Sequence, residues 1–219
     1  DRFHLVLGLS AGLLLGLVGF DLLPEVFEMS DNNLVGVRTA SVALIAGFLT
    51  LHFIEQFAGS HEPAESDYGH EHKHKAEIAG TLGAIAMAGH IFLDGVALAL
   101  AFKVSDALGF AVFIAILVHA FSDGLNTVSL LIKTGQWRTR GKYLLGLDAI
   151  ARISGAFIGS SLTISDSNLA IYLAAFSGIV IYLATSHILP EAHSKHPSRV
   201  TMIATLTGVV IMWAVVANL

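Results

Sequence analysis

Two copies of one short pattern lie in the most apolar part of the chain: His90-Ile91-Phe92-Leu93-Asp94-Gly95 and His119-Ala120-Phe121-Ser122-Asp123-Gly124. Each sets an imidazole and a carboxylate four residues apart, on one face of a helix. Both groups are ligands for divalent first-row metal ions. Ionisable side chains at membrane depth are costly and mark functional sites. If the two helices are antiparallel neighbours, both pairs reach one level. Two nitrogen and two oxygen donors, His90, Asp94, His119 and Asp123, then satisfy a tetrahedral cation. The alternative is that each His–Asp pair is a polar contact closed within its own helix. Duplication of the pattern in adjacent helices argues against it.

Helices must carry these residues. The chain has 219 residues, 54% of them hydrophobic and 13% charged, with mean hydropathy +0.72. That is too apolar for a soluble domain of this size. The periodicity predicts an all-α polytopic membrane bundle, a single domain over 1–219. Seven helices run over roughly 4–24, 35–58, 77–103, 106–133, 142–163, 167–190 and 198–218. A hydrophilic loop at 59–75 holds His61, His70, His72 and His74. It reads either as a metal buffer or sensor or as a plain connector. There is no cysteine, which excludes disulfides and thiolate ligands. The net charge of -5 says little about partners, and nothing in the chain addresses nucleic acid. The chain starts at Asp1, almost directly on a span, as if a segment preceded it.

Loop charges orient the bundle. Lys73 and Lys75, then Lys133, Arg138, Arg140 and Lys142, then Lys195 and Arg199 fall on one side if the spans alternate. The positive-inside rule makes that side, with the histidine-rich loop, cytoplasmic. The C-terminus is then external.

A second repeat points to inverted halves around the two central helices. Asp21-Leu22-Leu23-Pro24-Glu25 is expected to close the first helix, and His187-Ile188-Leu189-Pro190-Glu191 the sixth. Gly8, Gly12 and Gly16, and Gly155 and Gly159, offer small-residue faces for close packing. Around the centre, Asn126 adds either a neutral oxygen ligand or an interhelical hydrogen bond. His52, Glu55, His187 and Glu191 sit near cytoplasmic helix ends, either as stations on an ion path or as interfacial residues. Asp21 and Glu25, with Glu28 and Asp31, form an outer acidic cluster that either concentrates cations or is simply solvated.

On these residues the chain resembles the ZIP (Zrt-, Irt-like) family of divalent-metal transporters. The third and fourth helices are similar to that family's paired metal-binding helices, which carry an HNxxDG or HNxxEG motif and then an HExxHE-type motif. Leu22-Leu23-Pro24-Glu25 is similar to the end of the family's second helix, and Ser186-His187-Ile188-Leu189-Pro190-Glu191 to the end of its seventh. The resemblance implies eight helices in the full protein, seven of them here, and a homodimer. It also implies departures. Ile91 stands where the first motif has Asn, and Ala120 and Gly124 replace acidic residues of the second. Arg152-Ile153-Ser154-Gly155 lies where the family often has Glu-Pro-Leu-Gly. One of two bridged metal sites is therefore expected to be lost, leaving a mononuclear centre.

Arg152 has a reading of its own. It lies ten residues into its predicted helix, near mid-membrane, and a guanidinium keeps its charge. Either it faces the site in place of a second cation, or it snorkels or pairs with Asp148 one turn away.

Three functions compete. The first, expected, is uptake across the cell membrane of Zn2+, or of Cd2+, Fe2+ or Mn2+, which accept the same mixed ligands. The ion would be bound substrate, the bilayer and the cation the partners, and the protein no enzyme. The second is a membrane-embedded zinc hydrolase with Ser122 near the metal. The third is a sensor that binds ions without moving them.

Overall fold

The computed structural model describes residues 2–32, 36–58, 73–133, 140–193 and 199–219. Within them the chain is helical, with no strand among the described residues. Nine α-helical segments run in the order α1 (Arg2–Leu17), α2 (Leu23–Asn32), α3 (Val37–Ala58), α4 (Lys73–Val104), α5 (Asp106–Lys133), α6 (Arg140–Ser161), α7 (Asp166–Tyr182), α8 (Leu189–His193) and α9 (Arg199–Val216). A π turn at Val18–Leu22 joins α1 to α2, and another at Leu183–Ile188 joins α7 to α8. The segments therefore form seven continuous rods, the number expected.

Among the described residues, four stretches are long and apolar enough to cross a membrane: His4–Ser30, Val37–Ile54, Asp166–His193 and Arg199–Val216. Asp106–Ala120 is a shorter apolar stretch. The core is built from α1, α4, α5 and α7. Leu7, Leu14, Leu100, Leu108, Val112 and Leu173 are fully buried there. Each outer helix lies along one inner helix: α9 on α1, α3 on α7, α6 on α4. Their outward faces are apolar, with Ile45 and Phe53 on α3, Ile153 and Phe157 on α6, and Ile203 and Leu206 on α9 exposed. In water such a surface would aggregate. It suits a bilayer, where lipid tails are as apolar as leucine.

With no hydrophobic force between helices in lipid, close backbone approach must hold the pairs together. Glycines supply it. A Cβ on Gly12 would run into the Thr205 carbonyl of α9, and one on Gly208 into the Leu9 carbonyl of α1. Gly47 and Gly178 do the same between α3 and α7, against Ala175 and Leu44. Gly95 and Gly155 do it between α4 and α6, against the carbonyls of Arg152 and Phe92. Helix hydroxyls are satisfied locally, as an apolar surrounding demands. Ser30 and Ser177 donate to the carbonyls of Val26 and Leu173, at 2.6 and 2.8 Å.

The two prolines do not close their helices. Pro24 and Pro190 lack an N–H, and an α-helical ring would clash with the carbonyl four residues back. The chain answers both times with a π turn immediately upstream. The Leu23 N–H donates to Val18 and the Leu189 N–H to Ala184, five residues back. The helix then continues, to Asn32 in one copy and His193 in the other, where the sequence reading had expected ends near 24 and 190. The Leu-Pro-Glu repeat is thus a repeat of structure, on two of the inner helices, α1 and the α7–α8 rod, that carry an outer helix on a glycine seam. At the other boundary that moved, α4 begins at Lys73, inside the 59–75 segment.

Candidate metal site

The site is placed by a one-residue turn. Ser105 alone separates α4 from α5. Its Oγ accepts from the Leu108 N–H at 3.1 Å, and Asp106 sits in the first turn of α5, where the helix dipole favours an anion. The two helices fold back on each other from that point. His90 is fifteen residues before Ser105 and His119 fourteen after it, so both stand about 21 to 23 Å along their helices from the turn. Their ring centroids are 6.1 Å apart.

Asp94 is the hub. Its Oδ2 lies 3.0 Å from His119 Nε2, 3.6 Å from His90 Nε2 and 3.5 Å from Arg152 Nη1. The side chains of His90, Asp94 and His119 are 5%, 1% and 3% exposed, against 22% for Arg152. The first three side chains are therefore out of solvent, and their N and O atoms that could bind a metal ion all lie within 4.8 Å of one another. Tetrahedral zinc with ordinary Zn–N and Zn–O bonds needs donors about 3.4 Å apart. The two distances to Asp94 bracket that value.

Hydrogen bonding turns this cluster toward a cation. His119 Nδ1 is 2.9 Å from the Ala115 carbonyl oxygen, which can only accept, so Nδ1 carries the proton. In the neutral ring Nε2 then aims a lone pair at Asp94 Oδ2. The pair is at hydrogen-bond distance, 3.0 Å, so either a proton on Nε2 or a metal ion bound by both groups relieves the repulsion of the two lone pairs. Histidines that ligate metals are commonly held this way, with the other ring nitrogen donating to a carbonyl. Both ring nitrogens of His90, and Asp94 Oδ1, are buried with no hydrogen-bond partner among the described residues. Buried polar atoms are normally paired. Two of these atoms, His90 Nε2 and Asp94 Oδ1, belong to the groups that converge here, an arrangement able to hold a ligand.

Of the four metal ligands read from the sequence, the structure brings together His90, Asp94 and His119. The side chains of Asp123 and Asn126, and that of Glu55, lie outside the described ones. Arg152 of α6 is in the site, its guanidinium on Asp94. His52 of α3 and His187 of the second π turn do not reach it. They flank Tyr182, with ring centroids at 5.7 and 5.8 Å, and His52 Nδ1 is 3.3 Å from the Tyr182 hydroxyl. Glu191 is exposed on α8, and Asp21 and Glu25 are half-buried at the first π turn and the start of α2. Asp21 Oδ2 is buried without a partner among the described residues.

Sequence reasoning missed two tyrosines. Tyr182 links the two histidines just described. Tyr172 of α7 donates to the carbonyl of Leu93, beside Asp94, at 3.2 Å, and stacks on Phe176 at 6.2 Å. Their signal is weak, because an aromatic in an apolar span reads as core. Tyr172→Phe removes one neutral hydrogen bond between α7 and α4. Unfolding in denaturant is expected to show a loss of about 0.5–1.5 kcal/mol with zinc affinity nearly unchanged. A large drop in affinity would make Tyr172 part of the site.

Comparison with known proteins follows the same outline. Residues 59–216 match the family described as ZIP Zinc transporter. The chain is 31% identical over 192 residues to "Zinc transporter ZIP9" of Micropogonias undulatus, covering 78% of this chain and 61% of that protein. It is 24% identical over 223 residues to "Zinc transporter YKE4" of Saccharomyces cerevisiae, covering 90% and 64%. It is 26% identical over 219 residues to "Zinc transporter ZupT" of Corynebacterium aurimucosum, covering 94% and 82%. The chain thus spans less than two thirds of the length of the first two relatives.

Proposed function

The chain belongs to the ZIP zinc transporter family, and from that premise we propose that it carries a divalent cation, zinc first, across the membrane through the His90–Asp94–His119 centre. One observation carries this reading: a buried carboxylate and two imidazoles converge where His90 Nε2 and Asp94 Oδ1 lack a hydrogen-bond partner among the described residues. The relatives are named for zinc transport, and the donor set is one that zinc accepts. Cadmium, iron and manganese tolerate the same ligands and are expected as competitors.

The centre is mononuclear in this reading, with Asp123 as the fourth ligand from one turn beyond His119. A buried site strips the ion of water, and rocking of one helix group against the other then exposes it to the opposite side. His52, His187 and Glu191 offer weaker ligands on the way out, and Asp21 and Glu25 gather cations at the entrance. By the loop charges the direction is inward, across the cell membrane, with the 59–75 loop in the cytoplasm. A homodimer fits the same reading. Nothing in the comparisons supports a hydrolase.

Purified protein in proteoliposomes decides the matter. One zinc per chain and saturable zinc accumulation above protein-free vesicles are the expected results. Stoichiometric binding with no accumulation would replace transport by sensing. Absence of binding would remove the centre.

A further inference from the structure

Arg152 sits where a metal centre least needs a cation. Its Nη1 is 3.5 Å from Asp94 Oδ2, the same oxygen on which His119 and His90 converge at 3.0 and 3.6 Å. The carboxylate that must bind a divalent ion is thus already neutralised by a fixed monovalent one. The placement is built in. Gly95 of α4 lies against the backbone carbonyl of Arg152 itself, and Gly155 of α6 lies against the carbonyl of Phe92. The Arg152 backbone is therefore pinned to α4 one residue beyond Asp94. Its long side chain reaches from there to Asp94 and is the most exposed member of the cluster.

We propose that Arg152 is a tethered counter-ion that trades places with the transported cation on Asp94. It rests on the transport reading and deepens it. Without metal, Asp94 and Arg152 together are neutral, so an empty carrier can re-orient through an apolar layer at low cost. An arriving divalent ion takes Oδ2, and like-charge repulsion drives the guanidinium off. When the site opens to the cytoplasm the guanidinium returns to the carboxylate and helps expel the ion. Arginine suits this task because its charge cannot be lost to the solvent on either side. The trade weakens binding and speeds release, which a carrier requires and a storage site does not.

The test uses the full chain, with zinc ion as the probe. Arg152→Gln and Arg152→Met remove the charge in two ways, and either folded variant suffices. Arg152→Lys keeps it. Zinc Kd is measured by titration in detergent, and initial uptake against zinc concentration in proteoliposomes. Neutral variants are expected to bind zinc at least about tenfold more tightly, with KM and maximal rate both falling. The lysine variant lies closer to wild type than to either. Neutral variants that bind zinc no more tightly than wild type would overturn the proposal, as would a lysine variant that behaves like glutamine. If wild-type protein binds zinc but does not accumulate it, the transport reading fails separately, while the Kd comparison still decides what Arg152 does.

Discussion

Asp94→Asn is expected to abolish zinc uptake in proteoliposomes and to weaken zinc binding by on the order of a hundredfold or more. Structural zinc sites are worth on the order of 10–16 kcal/mol, so one anionic ligand among four represents several kcal/mol, at about 1.4 kcal/mol per factor of ten. Asparagine keeps the size and an oxygen but loses the charge that offsets the ion. The substitution also strips Arg152 of the carboxylate 3.5 Å away. Breaking a fully buried pair costs about 3–5 kcal/mol. Arg152 is partly exposed, so a smaller loss of stability is expected here. The two effects separate in a double variant. Asp94→Asn with Arg152→Gln should regain part of that stability in denaturant, because no guanidinium deprived of the Asp94 carboxylate is left, yet remain without uptake. If Asp94→Asn alone transports zinc at the wild-type rate, the hub role assigned to this carboxylate is wrong.

Much of this centre was legible in the sequence, for reasons that can be named. The spacing of four in each motif survives any choice of helix boundary. The levels of His90 and His119 match because Ser105 lies almost midway between them, and a polar residue followed by Asp106 between two apolar runs is visible as a turn. Arg152 was placed near mid-membrane by counting residues. Its destination was open between the site and Asp148, because direction around a helix depends on which face packs. Gly155 and Gly159 carry the signal for the contact with the site. They mark the face of α6 that touches α4, and Arg152, three residues before Gly155, shares it.

What the sequence could not convey has a common cause in the solvent. Proline ends helices in water, where freed carbonyls are hydrated. In an apolar layer those carbonyls must be satisfied within the helix, and a π turn does so at a smaller cost than a break. That is why Pro24 and Pro190 interrupt rods that continue to Asn32 and His193. Tyr172 and Tyr182 escaped for a related reason. A phenol in an apolar span counts toward hydropathy as bulk, while its hydroxyl needs a partner whose identity is set only by packing.

The glycine seam between α4 and α6 yields the sharpest contrast of sign in the molecule. Gly155→Ala and Gly146→Ala make the same chemical change on the same helix. Gly146 meets nothing within 4 Å among the described residues, so alanine there should stabilise by about 0.5–1 kcal/mol through helix propensity and the entropy of the unfolded chain. At Gly155 the new methyl meets the Phe92 carbonyl and lies 3.2 Å from the Val96 nitrogen. Backbone cannot turn aside as a flexible side chain does, so the helices must separate. Overpacking of this kind costs about 1–3 kcal/mol. The damage reaches the metal, because the separation carries the Arg152 backbone away from Asp94 and loosens the α4 turn that holds both His90 and Asp94. Unfolding in denaturant and zinc titration of the two variants are therefore expected to diverge together: Gly146→Ala more stable with unchanged affinity, Gly155→Ala less stable with altered affinity. Equal behaviour of the two would mean that α6 is not seated on α4 as the structure has it, and that Arg152 reaches Asp94 by some other packing.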